Sequence, residues 1–190
     1  MSRGVTGDDA TVAGMSDVDA IPETRPGWGA ERSRTVTWND PSPVLEIARS
    51  MDGLRYMEGM RDGVYPPPPI SQLVGMGIES VAKGEVVFTV TPHESQYNPL
   101  GVVHGGIACT ILDTVVGCAV HTTLAQGWFY TSIDLNVSYL RPFTLASGPL
   151  RATGRVVKPG KRVAFAEGVA VDGEGREIAT ATSSLLIMAP

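Results

Sequence analysis

Ile107, Ala108, Ile111, Leu112, Val115, Val116, Ala119 and Val120 recur at one-, three- and four-residue steps, between a glycine pair at Gly105-Gly106 and Thr122, with no lysine, arginine or glutamate among them. Side chains at that spacing cover most of the circumference of an α-helix, so the helix is expected to be buried nearly all round. Few folds bury a single helix that way, and a long sheet wrapped around it is the natural one. Its only formal charge is Asp113. A carboxylate on an apolar helix is costly unless it is paired, hydrogen-bonded or neutralised. Gly106, Thr110, Asp113 and Gly117 lie three or four residues apart, which makes a small and polar stripe between aliphatic flanks. Such a stripe suits a groove for a ligand, and it suits equally a buried structural carboxylate or a helix contact made through the glycines.

The chain around this helix reads mostly as strand. Residues 130–140 alternate, with Thr131, Ile133, Leu135, Val137 and Tyr139 on one face and Ser132, Asp134, Asn136 and Ser138 on the other. A strand is expected over residues 85–91 after a turn at Lys83-Gly84, with a short apolar segment before it. Two hairpins follow: residues 150–157 turn at Lys158-Pro159-Gly160-Lys161, and residues 163–171 turn at Asp172-Gly173-Glu174-Gly175 into residues 177–188. Before the sheet, Val44, Ile47, Ala48, Met51, Leu54 and Met57 predict one amphipathic helix from about 42 to 59, joined by the stiff run Pro66 to Pro69. Residues 1–40 are poor in aliphatic side chains and rich in breakers, and a disordered tail is expected there. The division is thus a tail (1–40), a helix with its connector (41–69) and one domain (70–190).

Composition narrows the function. A length of 190 residues with 43% hydrophobic content fits one domain and an extension, and a net charge of −5 disfavours polyanionic partners such as nucleic acid. No run of ~18 apolar residues and no secretory leader is present, so neither a membrane nor secretion is expected. Cys109 and Cys118 sit on one helical segment, point to different faces and cannot bridge, and they suit a cytoplasmic setting. His93, His104 and His121 lack metal-ligand spacing, and the nucleophile-elbow, phosphate-loop and dinucleotide motifs are missing, so no metal and no cofactor is expected.

What carries chemistry is the segment from Asn98 to Gly106. His104-Gly105-Gly106 opens the helix, where the first turn's N–H groups and the positive dipole end favour negative charge on an oxygen, and glycine lets a carbonyl approach closely. Asn98 and Asp113 add an amide and a base. Against the acidic background, Lys158, Lys161 and Arg162 at a hairpin, with Arg141 at the end of an earlier strand, suit phosphate groups or else a solvated turn.

Taken together, Asn98-x-x-Gly101-x-x-His104-Gly105-Gly106, then Asp113, Ser132-Ile133-Asp134-Leu135-Asn136 and Tyr139-Leu140-Arg141-Pro142 resemble the PaaI-type acyl-CoA thioesterases of the hot-dog fold, from about residue 70 to 188. The resemblance implies an α+β fold, a long central helix wrapped by a curved antiparallel sheet, here with an N-terminal helical extension. It implies acyl-CoA as substrate and homodimers, often homotetramers, with the site between subunits. By position, Asp113 is implied as general base orienting water, or as nucleophile; the Gly105 N–H polarises the thioester carbonyl; Asn98 and His104 shape the pocket. Gly106 would line it, and Arg141, Lys158, Lys161 and Arg162 would contact coenzyme A phosphates. A strand hydroxyl assists: the motif selects Ser132, whereas the alternation places Thr131 on the apolar face. Two other classes remain in view, a non-catalytic acyl-CoA or acyl-carrier binding module and a hot-dog hydratase or dehydratase. A pure binder has no need of a costly carboxylate in its groove, and a hydratase would pair a histidine with its acid at the helix start.

Overall fold

The computed structural model describes Gly27 and residues 29–190, and the compact unit is Arg34–Pro190. Most of the expected tail lies outside the described residues; residues 29–40 carry no helix or strand.

The apolar periodicity predicts one helix over 42–59, but the chain forms two, α1 (Ser42–Arg49) and α2 (Gly53–Arg61). The break falls at Asp52, whose backbone is extended and whose carboxylate accepts from the Arg55 amide, so it caps a new helix. Ile47, Met51 and Leu54 keep their spacing across the break, which hides it from the pattern. Pro69 is also more than a connector, because it opens α3 (Pro69–Val74), which ends at Gly75 in the left-handed region with φ 81.

A hairpin follows, β1 (Met76–Ala82) and β2 (Glu85–Val90), turning at Lys83-Gly84 as expected. The central helix α4 (Gly105–His121) comes next. After it run β3 (Phe129–Ser132), β4 (Asn136–Tyr139), β5 (Leu150–Lys158), β6 (Val163–Val171) and β7 (Glu177–Met188). The sheet is antiparallel in the order β1-β2-β5-β6-β7-β3, and β4 also pairs with β7. This is the helix-in-sheet α+β arrangement that the sequence predicts.

Two glycines seat α4 on the sheet. A Cβ on Gly154 would come within 2.1 Å of the Val115 carbonyl oxygen, and one on Gly168 within 3.1 Å of Val116. Ile111, Leu112, Val115, Val116, Ala119 and Val120 are thereby fully buried, at 0% exposure. The helix is nevertheless not covered all round. Asp113 is exposed and Thr110 half-buried, while Gly117 is buried, so the polar stripe is open in its middle part.

The alternating run over 130–140 is interrupted as well. Ser132 pairs with Leu185, yet Asn136 pairs with Thr182, a register shift of one residue that fits a bulge at 133–135. Parity therefore inverts along the strand: Tyr130 and Ser132 lie opposite the buried Ile187 and Leu185, whereas Val137 and Tyr139 lie opposite the buried Ala181 and Ala179. Ile133, assigned by alternation to the apolar face, is 57% exposed.

Candidate active site

His104 sets the start of α4. Its backbone is extended, its Nδ1 accepts from the Gly106 amide at 2.9 Å, and its carbonyl accepts from Ile107 at 2.9 Å. The amide of Gly105, in a first turn with no preceding helical carbonyl, makes no hydrogen bond to another backbone group among the described residues. The loop before it is held by Asn98, whose Oδ1 accepts from the Leu100 amide at 2.9 Å and the Val102 amide at 3.4 Å. That leaves the Asn98 Nδ2 as a donor. Tyr139 lies over the same helix start: its hydroxyl donates to the Gly105 carbonyl at 3.1 Å and lies 2.9 Å from the Cys109 sulfur. Asn98, Gly105, Tyr139 and Arg141 together line a cleft of about 330 Å³.

A second group stands farther along the helix. Ser132 Oγ donates to Asp113 Oδ1 at 2.7 Å, so the bulge-shifted strand brings Ser132, not Thr131, to the carboxylate. Thr110, on the same stripe, has its hydroxyl bonded to the Gly106 carbonyl at 2.9 Å. A helical rise of ~1.5 Å per residue sets Asp113 roughly 12 Å along the axis from Gly105. One carbonyl and one water cannot span that gap. Within a protomer the predicted residues thus form two clusters, Asn98, His104, Gly105 and Arg141 in one, Asp113 and Ser132 in the other.

The Thioesterase superfamily model matches residues 100–179, which take in the helix start, Asp113 and most of the sheet. A protein of Halobacterium salinarum, provisionally named an esterase, is 38% identical over 125 residues, 60% of this chain and 81% of that one. The chain belongs to the thioesterase superfamily. Human acyl-coenzyme A thioesterase 13 is 33% identical over 86 residues, 45% of this chain and 60% of that protein's length. Among solved structures, a thioesterase-type protein of Ralstonia eutropha related to phenylacetic acid degradation superposes with a TM-score of 0.64 at 30% identity, covering 69% of this chain and 98% of that one. The PaaI-type hot-dog resemblance thus holds, and as a member of the thioesterase superfamily the chain is a thioester hydrolase.

In this thioesterase the basic residues separate. Arg141 donates from Nη1 to the Glu177 carbonyl at 2.8 Å, and Glu177 pairs with Val171 at one end of the β6–β7 ladder. Lys158, Lys161 and Arg162 lie at the β5–β6 turn, beside the other end, where Val163 pairs with Leu186. Within the chain they do not form one patch.

Sequence reasoning missed the aromatic side chains around these clusters. Tyr130, two residues before Ser132 on the helix-facing side, fills the gap over Gly117, where a Cβ would be 2.6 Å from its ring. Burial pushes its phenol well above the ordinary value, and burial raises the neighbouring Cys118 thiol to about 12, so both stay uncharged. The hydrogen bond with Cys109, more than burial, raises the Tyr139 hydroxyl. The available signal was Gly117 itself, because a glycine inside an otherwise aliphatic helix marks the close approach of something large. Among the described residues no helix is long and apolar enough to cross a membrane.

Proposed function

We propose that this thioesterase hydrolyses acyl-coenzyme A to the free acid and coenzyme A, at a site made by two copies of the chain. The observation that carries the reading is the open Asp113, the one charge on α4, with Ser132 bonded to a single carboxylate oxygen at 2.7 Å. The other oxygen remains to orient and deprotonate a water. The thioester carbonyl oxygen sits at the Gly105 amide of the second copy, where backbone N–H and helix dipole stabilise the developing oxyanion. Asn98 lines that cleft with its Nδ2 free to donate, and the remaining His104 ring nitrogen and Gly106 would complete the pocket from the helix start. Water adds to the carbonyl carbon as its proton passes to Asp113; the carbon–sulfur bond then breaks and coenzyme A leaves as thiolate, which needs little acid help. Arg141 at one end, and Lys158, Lys161 and Arg162 at the other, are the candidates for the coenzyme's phosphates. Two reduced thiols fit a cytoplasmic setting.

Thiol release from a panel of acyl-coenzyme A substrates tests this. Asp113→Asn is expected to keep fold and ligand binding and to lose ~10²–10⁴-fold in turnover; unchanged turnover removes Asp113 from the mechanism. Ser132→Ala, which deletes a hydrogen bond to a charged group, is expected to cost roughly 10- to 100-fold, while Thr131→Ala leaves the rate near wild type.

A further inference from the structure

A second cavity, of about 390 Å³, lies between the N-terminal helices and the central helix, and its lining is mostly apolar, with Asn39, Asp40 and His121 among the polar exceptions. Val44, Leu45 and Ala48 of α1 and Met57 of α2 wall one side, and Cys118 and Tyr130 wall the other. Residues 39–69, which supply the first wall, lie outside the segment that matches the thioesterase family.

The cavity lies next to the proposed reacting centre. Tyr130 precedes Ser132 by two residues on the same face, its ring covers Gly117 one turn beyond Asp113, and it lines the cavity together with Cys118. Asp113 is near enough to act electrostatically on both Tyr130 and Cys118. A chain attached to a carbonyl beside Asp113 would have to pass Tyr130, which covers Gly117 and lines the cavity on its other side.

The far wall is firmly held. The Gly53 amide donates to the Leu124 carbonyl at 3.1 Å, and a Cβ on Gly53 would come within 1.9 Å of the His121 carbonyl oxygen, so α2 docks directly against the end of α4. Tyr56 stacks on Tyr65 and meets the His121 ring edge-on. Such a wall gives the cavity a fixed depth. Its volume falls within the ~300–1,000 Å³ range of small-molecule sites and exceeds what an acetyl group needs.

We propose that this cavity receives the acyl chain of the substrate, that the chain is a medium-length aliphatic one, and that α1 and α2 set its length. The proposal rests on the acyl-coenzyme A reading above. Filling the cavity from the N-terminal wall then shortens the preferred substrate. The test uses the full chain and two variants, Leu45→Trp on the rim and Ala48→Phe deeper in. Each is assayed for thiol release from acetyl-, hexanoyl- and dodecanoyl-coenzyme A, and for dodecanoate binding by calorimetry. The expected result is a fall of at least tenfold in the dodecanoyl-to-acetyl ratio of kcat/KM, carried mainly by KM, with a parallel loss of dodecanoate affinity. An unchanged ratio with unchanged dodecanoate binding overturns the proposal. If the wild type releases no thiol from any substrate, the hydrolase reading falls, and dodecanoate binding alone decides the cavity: loss in both variants sustains it, no loss overturns it. Leu45 is 48% exposed, so Leu45→Trp keeps the test valid if Ala48→Phe fails to fold.

Discussion

Tyr139 joins two parts of the helix start through one oxygen: its hydroxyl touches the Gly105 carbonyl and the Cys109 sulfur, while its ring would stand 3.1 Å from a Cβ at Gly105. On the proposed reading its hydroxyl acts on the helix start and not on a reacting atom, which would make it a positioning residue. Tyr139→Phe keeps the ring and deletes the hydrogen bond. A neutral bond of this kind contributes about 1 kcal/mol, so kcat/KM is expected to fall about fivefold. Tyr139→Ala releases the ring as well and is expected to cost more, with the loss seen in kcat. Equal rates for wild type and both variants would show that the Gly105 amide is oriented by His104 and the loop alone.

At the scale of elements, what could be read from the sequence depended on whether the information was local. Strands β6 and β7 match their expected ranges, and α4 differs by one residue at its end, because turn chemistry and periodicity are properties of consecutive residues. The bulge between β3 and β4 is not of that kind: one extra residue inverts the facing of Ser132 without any unusual residue type, so alternation pointed to Thr131 where only the motif pointed to Ser132. The polar stripe of α4 was legible, but its openness was not, since that depends on where the sheet stops. Two predictions belong to this scale. Gly154→Ala places a methyl group against the Val115 carbonyl, a backbone atom that cannot turn aside, and is expected to destabilise the fold by about 1–3 kcal/mol in denaturant unfolding. His121 is 7% exposed, surrounded by Tyr56, Phe129 and Tyr130, with Cys118 one turn before it; burial lowers its pKa. The folded state keeps it neutral while the unfolded chain takes up a proton below about pH 6.5. Stability is therefore lost as pH falls below that value, by up to about 1.4 kcal/mol per pH unit, and its contribution is flat above. Melting curves of His121→Phe against wild type between pH 7 and 5 should diverge accordingly; parallel curves would mean that this histidine titrates alike in both states.

For the whole molecule, the decisive fact is that one protomer holds the two halves of the proposed site roughly 12 Å apart along α4. On the proposed reading convergence needs a second copy, and the surface that could supply it is also exposed. β3 and β4 form the edge of the sheet, bonded only to β7, and Ile133, Tyr139 and Leu140 expose 57%, 55% and 47% of their surface there. An edge with unpaired backbone and apolar side chains associates unless it is covered. A two-fold pairing along this edge would be self-complementary and would bury both edges at once, and on the proposed reading it would set Asp113 of one copy facing the helix start of the other. Pairs of such dimers would extend the same logic to a tetramer. Ile133→Glu introduces a charge on that edge without touching the Asp113–Ser132 bond or the Asn98 loop. Sedimentation and thiol release measured on the same samples are expected to change together: the variant runs as a folded monomer and loses nearly all turnover, while wild type keeps its specific activity down to the concentration at which it dissociates. A monomeric variant with full activity would place the whole reaction within one chain and remove the shared site.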